Sequence, residues 1–123
     1  NPNDLFKTNC DIISPCALGG VINQSNQHQL KCKAIVGAAN NQLEDSTIGE
    51  WLNKNNIVYA PDYLVNSGGV IAIASEINKT ENLIEEQLKK IGDRLTSVLE
   101  ESKRSRESTN LVAKRIAWER INS

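Results

Sequence analysis

The 123-residue chain has no apolar run near the ~20 residues that a bilayer-spanning helix needs. Nor does either charge prevail, since 14 basic residues stand against 15 acidic ones, for a formal net charge of −1. A nucleic-acid-binding face needs an unbalanced basic stripe. The Lys and Arg residues gathered after Lys79 instead alternate with Glu, which describes a solvated helical surface. The first residues carry no charged segment followed by an apolar stretch, the mark of a secretory leader. Cysteines are few, Cys10, Cys16 and Cys32. With His28 among them they still lack the close ligand pairs of structural zinc modules. They read as buried, reduced thiols, and the expectation is a cytoplasmic protein with no metal, no membrane partner and no nucleic-acid partner. The start at Asn1-Pro2 suits a fragment or a processed chain.

What is present is room for one modest core and a regular alternation of elements. Three short apolar runs, Asp11–Ser14, Lys33–Gly37 and Ile57–Ala60, are rich in β-branched residues and predict strands with both faces covered. Between the first two, residues 18–30 predict a weak, polar helix. Between the second and third, Leu43, Thr47, Ile48, Trp51 and Leu52 share one helical face, which completes a βαβ unit. After Asn66 the pattern is helical only. Val70, Ile71, Ile73, Ala74 and Ile77 predict a helix ending near Asn78. Ile84, Leu88, Ile91, Leu95 and Val98 step by four and three along a second helix, reaching about Lys103. A polar loop at 102–110 precedes a last helix capped by Ser108 or Thr109. Trp51 and Trp118 sit on apolar helical faces as packing residues, and His28 belongs to the surface.

In an open α/β sheet, ligands lie beyond the carboxyl ends of the strands. Those ends here are Ser14-Pro15-Cys16-Ala17, Ala38-Ala39-Asn40-Asn41 and Pro61-Asp62. Small residues let a flat ring or sugar approach the backbone, and an Asn side chain offers both a donor and an acceptor. The stretch Tyr59-Ala60-Pro61-Asp62-Tyr63-Leu64-Val65-Asn66-Ser67-Gly68-Gly69-Val70-Ile71 reads as strand, loop and a helix opened by Asn66 and two glycines. A helix start of that kind attracts a carboxylate. Plain tight turns, with Asn40-Asn41 capping the next helix, remain the structural alternative.

These motifs, with Cys10-Asp11-Ile12-Ile13-Ser14-Pro15-Cys16-Ala17-Leu18-Gly19 and Gly37-Ala38-Ala39-Asn40-Asn41-Gln42-Leu43, resemble the C-terminal part of the amino-acid dehydrogenases acting on glutamate, leucine, phenylalanine or valine, and most of all the leucine dehydrogenases. The resemblance implies an α/β fold, the second half of a Rossmann-like domain with about three parallel strands, followed by C-terminal helices. Residues 1–65 would be the partial dinucleotide-binding domain. Residues 66–123 would form a helical segment packing on it and towards a catalytic domain that supplies the acid–base groups. It implies NAD as cofactor, an amino acid as substrate and a homo-oligomer. Cys16, Ala17, Ala39, Asn40 and Asn41 would contact the cofactor. Asn66, Gly68, Gly69, Val70 and Ile73 would contact the substrate, and none of the catalytic residues would lie in this segment. An apolar Ile73 in that wall disfavours a buried distal carboxylate, so branched aliphatic substrates fit better than glutamate. Asp62 reads as structural, because the base of such enzymes lies elsewhere. The sequence departs from the pattern at Ser46-Thr47-Ile48-Gly49, where a basic, His-containing helix start is usual, and at Ser75-Glu76, which replaces an acidic pair. No Gly-x-Gly-x-x-Gly follows a strand. A self-standing, non-catalytic α/β interaction or nucleotide-binding module is the competing reading.

Overall fold

The structure, a computed structural model, describes residues 2–123, with side chains from residue 4 onward. A short helix α1 (Pro2–Leu5) leads into β1 (Ile12–Ile13), β2 (Ala34–Ile35) and β3 (Val58–Tyr59). These form one parallel sheet in the order β1-β2-β3. The register places Ile13, Ile35 and Tyr59 side by side. Ile35 and Tyr59 are buried with Ile22, Ile48, Leu52 and Ile57 in the main core.

The regular strands are shorter than the apolar runs, and only one sheet face is covered. Successive strand residues point to opposite faces. The opposite face carries Ile12 and Val58, which are 59 % and 42 % exposed. The expectation of two covered faces is therefore corrected, because among the described residues no helix seals the Ile12 side.

Residues 18–30 form no α-helix either. They run through turns, a lone bridge between Ile22 and Leu43, and one 3-10 turn at Gln27–Gln29. Asparagine side chains compete with helical bonding here. Asn26 Oδ1 accepts from Asn23 N–H at 3.0 Å, its Nδ2 donates to the Val21 carbonyl at 2.7 Å, and Asn23 Oδ1 accepts from Ser25 N–H at 3.0 Å.

Helix α2 (Ser46–Lys54) starts where Asp45 accepts from Thr47 N–H at 2.7 Å and from Ile48 N–H at 3.3 Å. That side-chain cap satisfies donors a helix start leaves open. Its apolar face places Ile48 and Leu52 under the sheet. Gly49 meets the last helix so closely that a Cβ there would lie 2.2 Å from Asn110 Oδ1.

After β3 come α3 (Asp62–Val65), α4 (Gly68–Ile77), a 3-10 turn (Glu81–Leu83), α5 (Ile84–Ser105) and α6 (Thr109–Ile121). Helix α5 outruns its expected end, so the polar loop shrinks to residues 106–108, and Arg106 closes the helix at φ 63°. Val98, Val112 and Ala113 make a second core with Leu64 and Ile116. Two bonds tie the start of α6 to β3 and α3. Thr109 Oγ1 donates to the Tyr59 carbonyl at 2.6 Å, and Tyr63 Oη donates to the Asn110 carbonyl at 2.9 Å. Trp51 packs on the main core with its ring edge-on to the exposed His28. Trp118 is 66 % exposed, so its expected packing role is not realised within these residues.

Candidate functional site at the strand ends

The three strand ends are knitted together by bonds between backbone and side chains. Ala39 N–H donates to the Pro15 carbonyl at 2.9 Å, joining the β1 loop to the β2 loop. Gln42, fully buried, donates from Nε2 to the carbonyls of Gly37 (2.7 Å) and Ala39 (2.9 Å) and so closes the β2 loop on itself. Sequence reasoning passed over Gln42, whose only signal was a polar residue directly ahead of an apolar helix face.

Cys16 lies exposed on the β1 loop, with Sγ 3.3 Å from Ser14 Oγ. The Ser14 hydroxyl and the Ala38 backbone stabilise its thiolate and lower its pKa. Burial raises the pKa of Cys32 instead. All three thiols are free, Cys10 and Cys32 being half-buried, so the expectation that all are buried is corrected at Cys16. Iodoacetamide at pH 8 is expected to label Cys16 before Cys32, because the thiolate is the nucleophile. Peptide mapping after brief labelling checks this, and equal labelling of both thiols would contradict it.

Asn66 reaches across from α3. Its Nδ2 donates to Asn40 Oδ1 at 2.6 Å and to the Ala38 carbonyl at 3.3 Å. Cys16, Asn40 and Asn66 therefore converge around Ala38. Asn66 closes α3 rather than opening α4, a correction to its expected place, because Pro61 starts a separate helical turn that ends at this residue. The N-cap of α4 is Ser67, whose Oγ donates to the Leu64 carbonyl at 2.8 Å and makes no cap bond. The first-turn N–H groups of α4, at Gly68 and Gly69, thus have no side-chain acceptor from the cap.

The Asn40–Asn66 bond decides what the pair can offer. Asn40 Oδ1 and Asn66 Nδ2 are engaged with each other, which leaves the Asn40 amide hydrogens and Asn66 Oδ1 for a ligand. A donor beside an acceptor suits a carboxamide or the head group of an amino acid. Ala17 is exposed next to Cys16, while Ala39 is buried under the loop. Asn41 is exposed and adopts φ 52°. Val70 and Ile73 are 70 % and 61 % exposed, one turn apart on α4, and take no part in either core.

A groove of about 460 Å³ lies between α3, α5 and α6 and includes none of residues 14–17 or 38–41. Among the described residues no cluster of three or more His, Cys, Asp or Glu side chains could hold a metal ion, and no helix is long and apolar enough to cross a membrane.

A parallel sheet with α-helices following its second and third strands and polar loops gathered at the strand ends defines this chain as part of a Rossmann-like α/β domain. It belongs to the Glutamate/Leucine/Phenylalanine/Valine dehydrogenase family, whose model matches residues 1–123. It is 43 % identical over 125 aligned residues to leucine dehydrogenase of Bacillus cereus, covering 99 % of this chain and 34 % of that enzyme. Against the crystal structure of L-tryptophan dehydrogenase from Nostoc punctiforme the TM-score is 0.92 at 38 % identity, over 98 % of this chain and 37 % of that one. The hetero-hexameric glutamate dehydrogenase from Thermus thermophilus, in its Leu-bound form, shares the fold with a TM-score of 0.77 at 20 % identity, over 98 % of this chain and 30 % of that one. The chain thus spans about a third of the length of the relatives it matches.

Proposed function

We propose that this chain is the C-terminal segment of an NAD-dependent amino-acid dehydrogenase that oxidatively deaminates a branched-chain L-amino acid to the 2-oxo acid and ammonia. The observation that carries the proposal is the 2.6 Å bond between Asn40 and Asn66, with Asn66 also on the Ala38 carbonyl and Cys16 against the Ala38 backbone. Cys16, Ala17, Asn40 and Asn41, exposed over the buried Ala39, would line the nicotinamide and its ribose with the Ala39 backbone, where a small exposed Ala17 and a free donor–acceptor pair fit a carboxamide-bearing ring. NAD, when bound, accepts the hydride that leaves the substrate Cα. Asn66 and the uncapped N–H groups at Gly68 and Gly69 would hold the substrate carboxylate. Val70 and Ile73, exposed and apolar, would wall its side chain.

In this reading residues 1–65 are the partial dinucleotide-binding domain, and residues 66–123 are the helical segment that packs on it and towards the catalytic domain. The enzyme is cytoplasmic and homo-oligomeric, and the 123-residue chain alone is inactive, its acid–base groups lying outside these residues. Joining the chain behind the first two thirds of the Bacillus cereus enzyme tests the proposal. The chimaera is expected to reduce NAD with leucine, valine and isoleucine, with kcat/KM about tenfold or more above that for glutamate. The chain by itself should give no turnover. A folded chimaera without NAD-dependent turnover, or one that prefers glutamate, would sink the proposal.

A further inference from the structure

Asp62 is a buried carboxyl group, 7 % exposed, at the first position of α3. Its Oδ2 accepts from the backbone N–H of Asn41 at 2.6 Å, and its Oδ1 accepts from the Tyr59 hydroxyl at 2.8 Å. Burial raises the Tyr59 pKa, and the bond to Asp62 adds to it, so that phenol stays protonated as a donor. Tyr63 beside it is pushed up to about 12, first by burial and then by the Asp62 charge.

The residue that Asp62 grips is in an unusual conformation. Asn41 sits at φ 52°, a left-handed conformation that asparagine tolerates better than other non-glycine residues and that persists where the surroundings hold it. Three contacts impose it. Asp62 takes the Asn41 N–H, and the Asn41 carbonyl accepts from Gly20 N–H at 2.7 Å. On the third side Gly19 presses so close that a Cβ there would lie 2.9 Å from the Asn40 carbonyl oxygen.

Asp62 and Asn66 stand four residues apart, and Asn66 N–H donates to the Asp62 carbonyl at 2.9 Å, so both belong to one helical turn. One end of α3 holds the Asn41 main chain, and the other end holds the Asn40 side chain.

We propose that Asp62 is the positioning residue of this site: by bonding the Asn41 N–H it fixes the Asn40–Asn41 peptide so that Asn66 can orient the Asn40 carboxamide towards the nicotinamide end of NAD. This rests on the proposed dehydrogenase function. Asp62 takes no part in proton transfer here. It acts through a loop that touches the ligand, as outer hydrogen-bond partners orient the groups around metals and reacting atoms.

The test compares Asp62→Ala, Asp62→Asn and Tyr59→Phe, in this chain and in the chimaera, by hydrogen exchange at the Asn41 amide and by steady-state kinetics. Asp62→Ala is expected to speed Asn41 exchange by about tenfold and to raise the KM for NAD by about tenfold or more. Asp62→Asn keeps one acceptor oxygen for Asn41 and should fall between Asp62→Ala and the parent. Tyr59→Phe removes the other bond to Asp62 but spares the one to Asn41. Its KM for NAD should stay within about threefold of the parent even if its stability drops, a separation that a merely structural role would not produce. Two results overturn the proposal: Asp62→Ala with Asn41 exchange and NAD KM unchanged, or Tyr59→Phe with a KM rise as large as that of Asp62→Ala. An inactive parent chimaera overturns the dehydrogenase reading instead, and the Asn41 exchange rate then decides whether Asp62 positions the loop.

Discussion

Replacing Gly37 by alanine is expected to cost about 3 kcal/mol of stability, because the added methyl group has nowhere to go. A Cβ at this position would lie 2.1 Å from the Pro15 carbonyl oxygen and 2.6 Å from both Pro15 N and Cδ. These are backbone and ring atoms, so no rotamer change can clear them. The same Pro15 carbonyl accepts from Ala39 N–H at 2.9 Å, and the Gly37 carbonyl accepts from the buried Gln42 at 2.7 Å. Moving Pro15 away would therefore open the junction between the β1 and β2 loops as well as relieve the clash. In thermal unfolding the midpoint should fall by roughly 10 °C, at about 4 °C per kcal/mol for a domain of this size. A variant melting within about two degrees of the parent would show that the strand ends are not joined this tightly.

Gly69→Ala is expected to do the opposite, sparing stability while removing activity. A Cβ at Gly69 meets nothing within 4 Å, and its φ is not among the positive values in the chain. Within this segment nothing demands glycine, and alanine should even add about 0.4–1 kcal/mol by restricting the unfolded chain. If the substrate carboxylate rests against the first turn of α4, as proposed, the methyl group occupies that volume. The chimaera carrying Gly69→Ala should then lose about 100-fold in kcat/KM for the amino acid, with its melting temperature unchanged or raised. Undiminished activity would place the carboxylate elsewhere. Gly68 is a different case, since a Cβ there would make ordinary contact with Leu88 Cδ2 at 3.4 Å.

Local pattern was enough to order the elements. Short, continuous apolar runs rich in β-branched residues marked β1, β2 and β3, and the steps of three and four from Ile84 to Val98 marked α5. Each of these signals lies within one element, so a single chain displays it. The family was legible for a related reason, because its motifs are continuous stretches such as 59–71 and 37–43.

Where side chains bond across the chain, sequence alone was silent or misleading. Residues 18–30 turned into turns because Asn23 and Asn26 bond the local backbone in place of a helix. Asn66 was expected to open a helix and instead closes one, reaching 26 residues back to Asn40. Asp62 was read as structural, and only its 2.6 Å bond to Asn41 shows which loop it holds.

By itself, then, the sequence determined that a βαβ unit leads into helices, and which loops carry the family's residues. Only the tertiary structure decided that Cys16, Asn40 and Asn66 meet around Ala38, with Gln42 and Asp62 holding the loop between them. Hydrophobic period is a property of neighbours along the chain. A hydrogen bond between residues 21 or 26 positions apart exists only once the parallel sheet has aligned its strand ends.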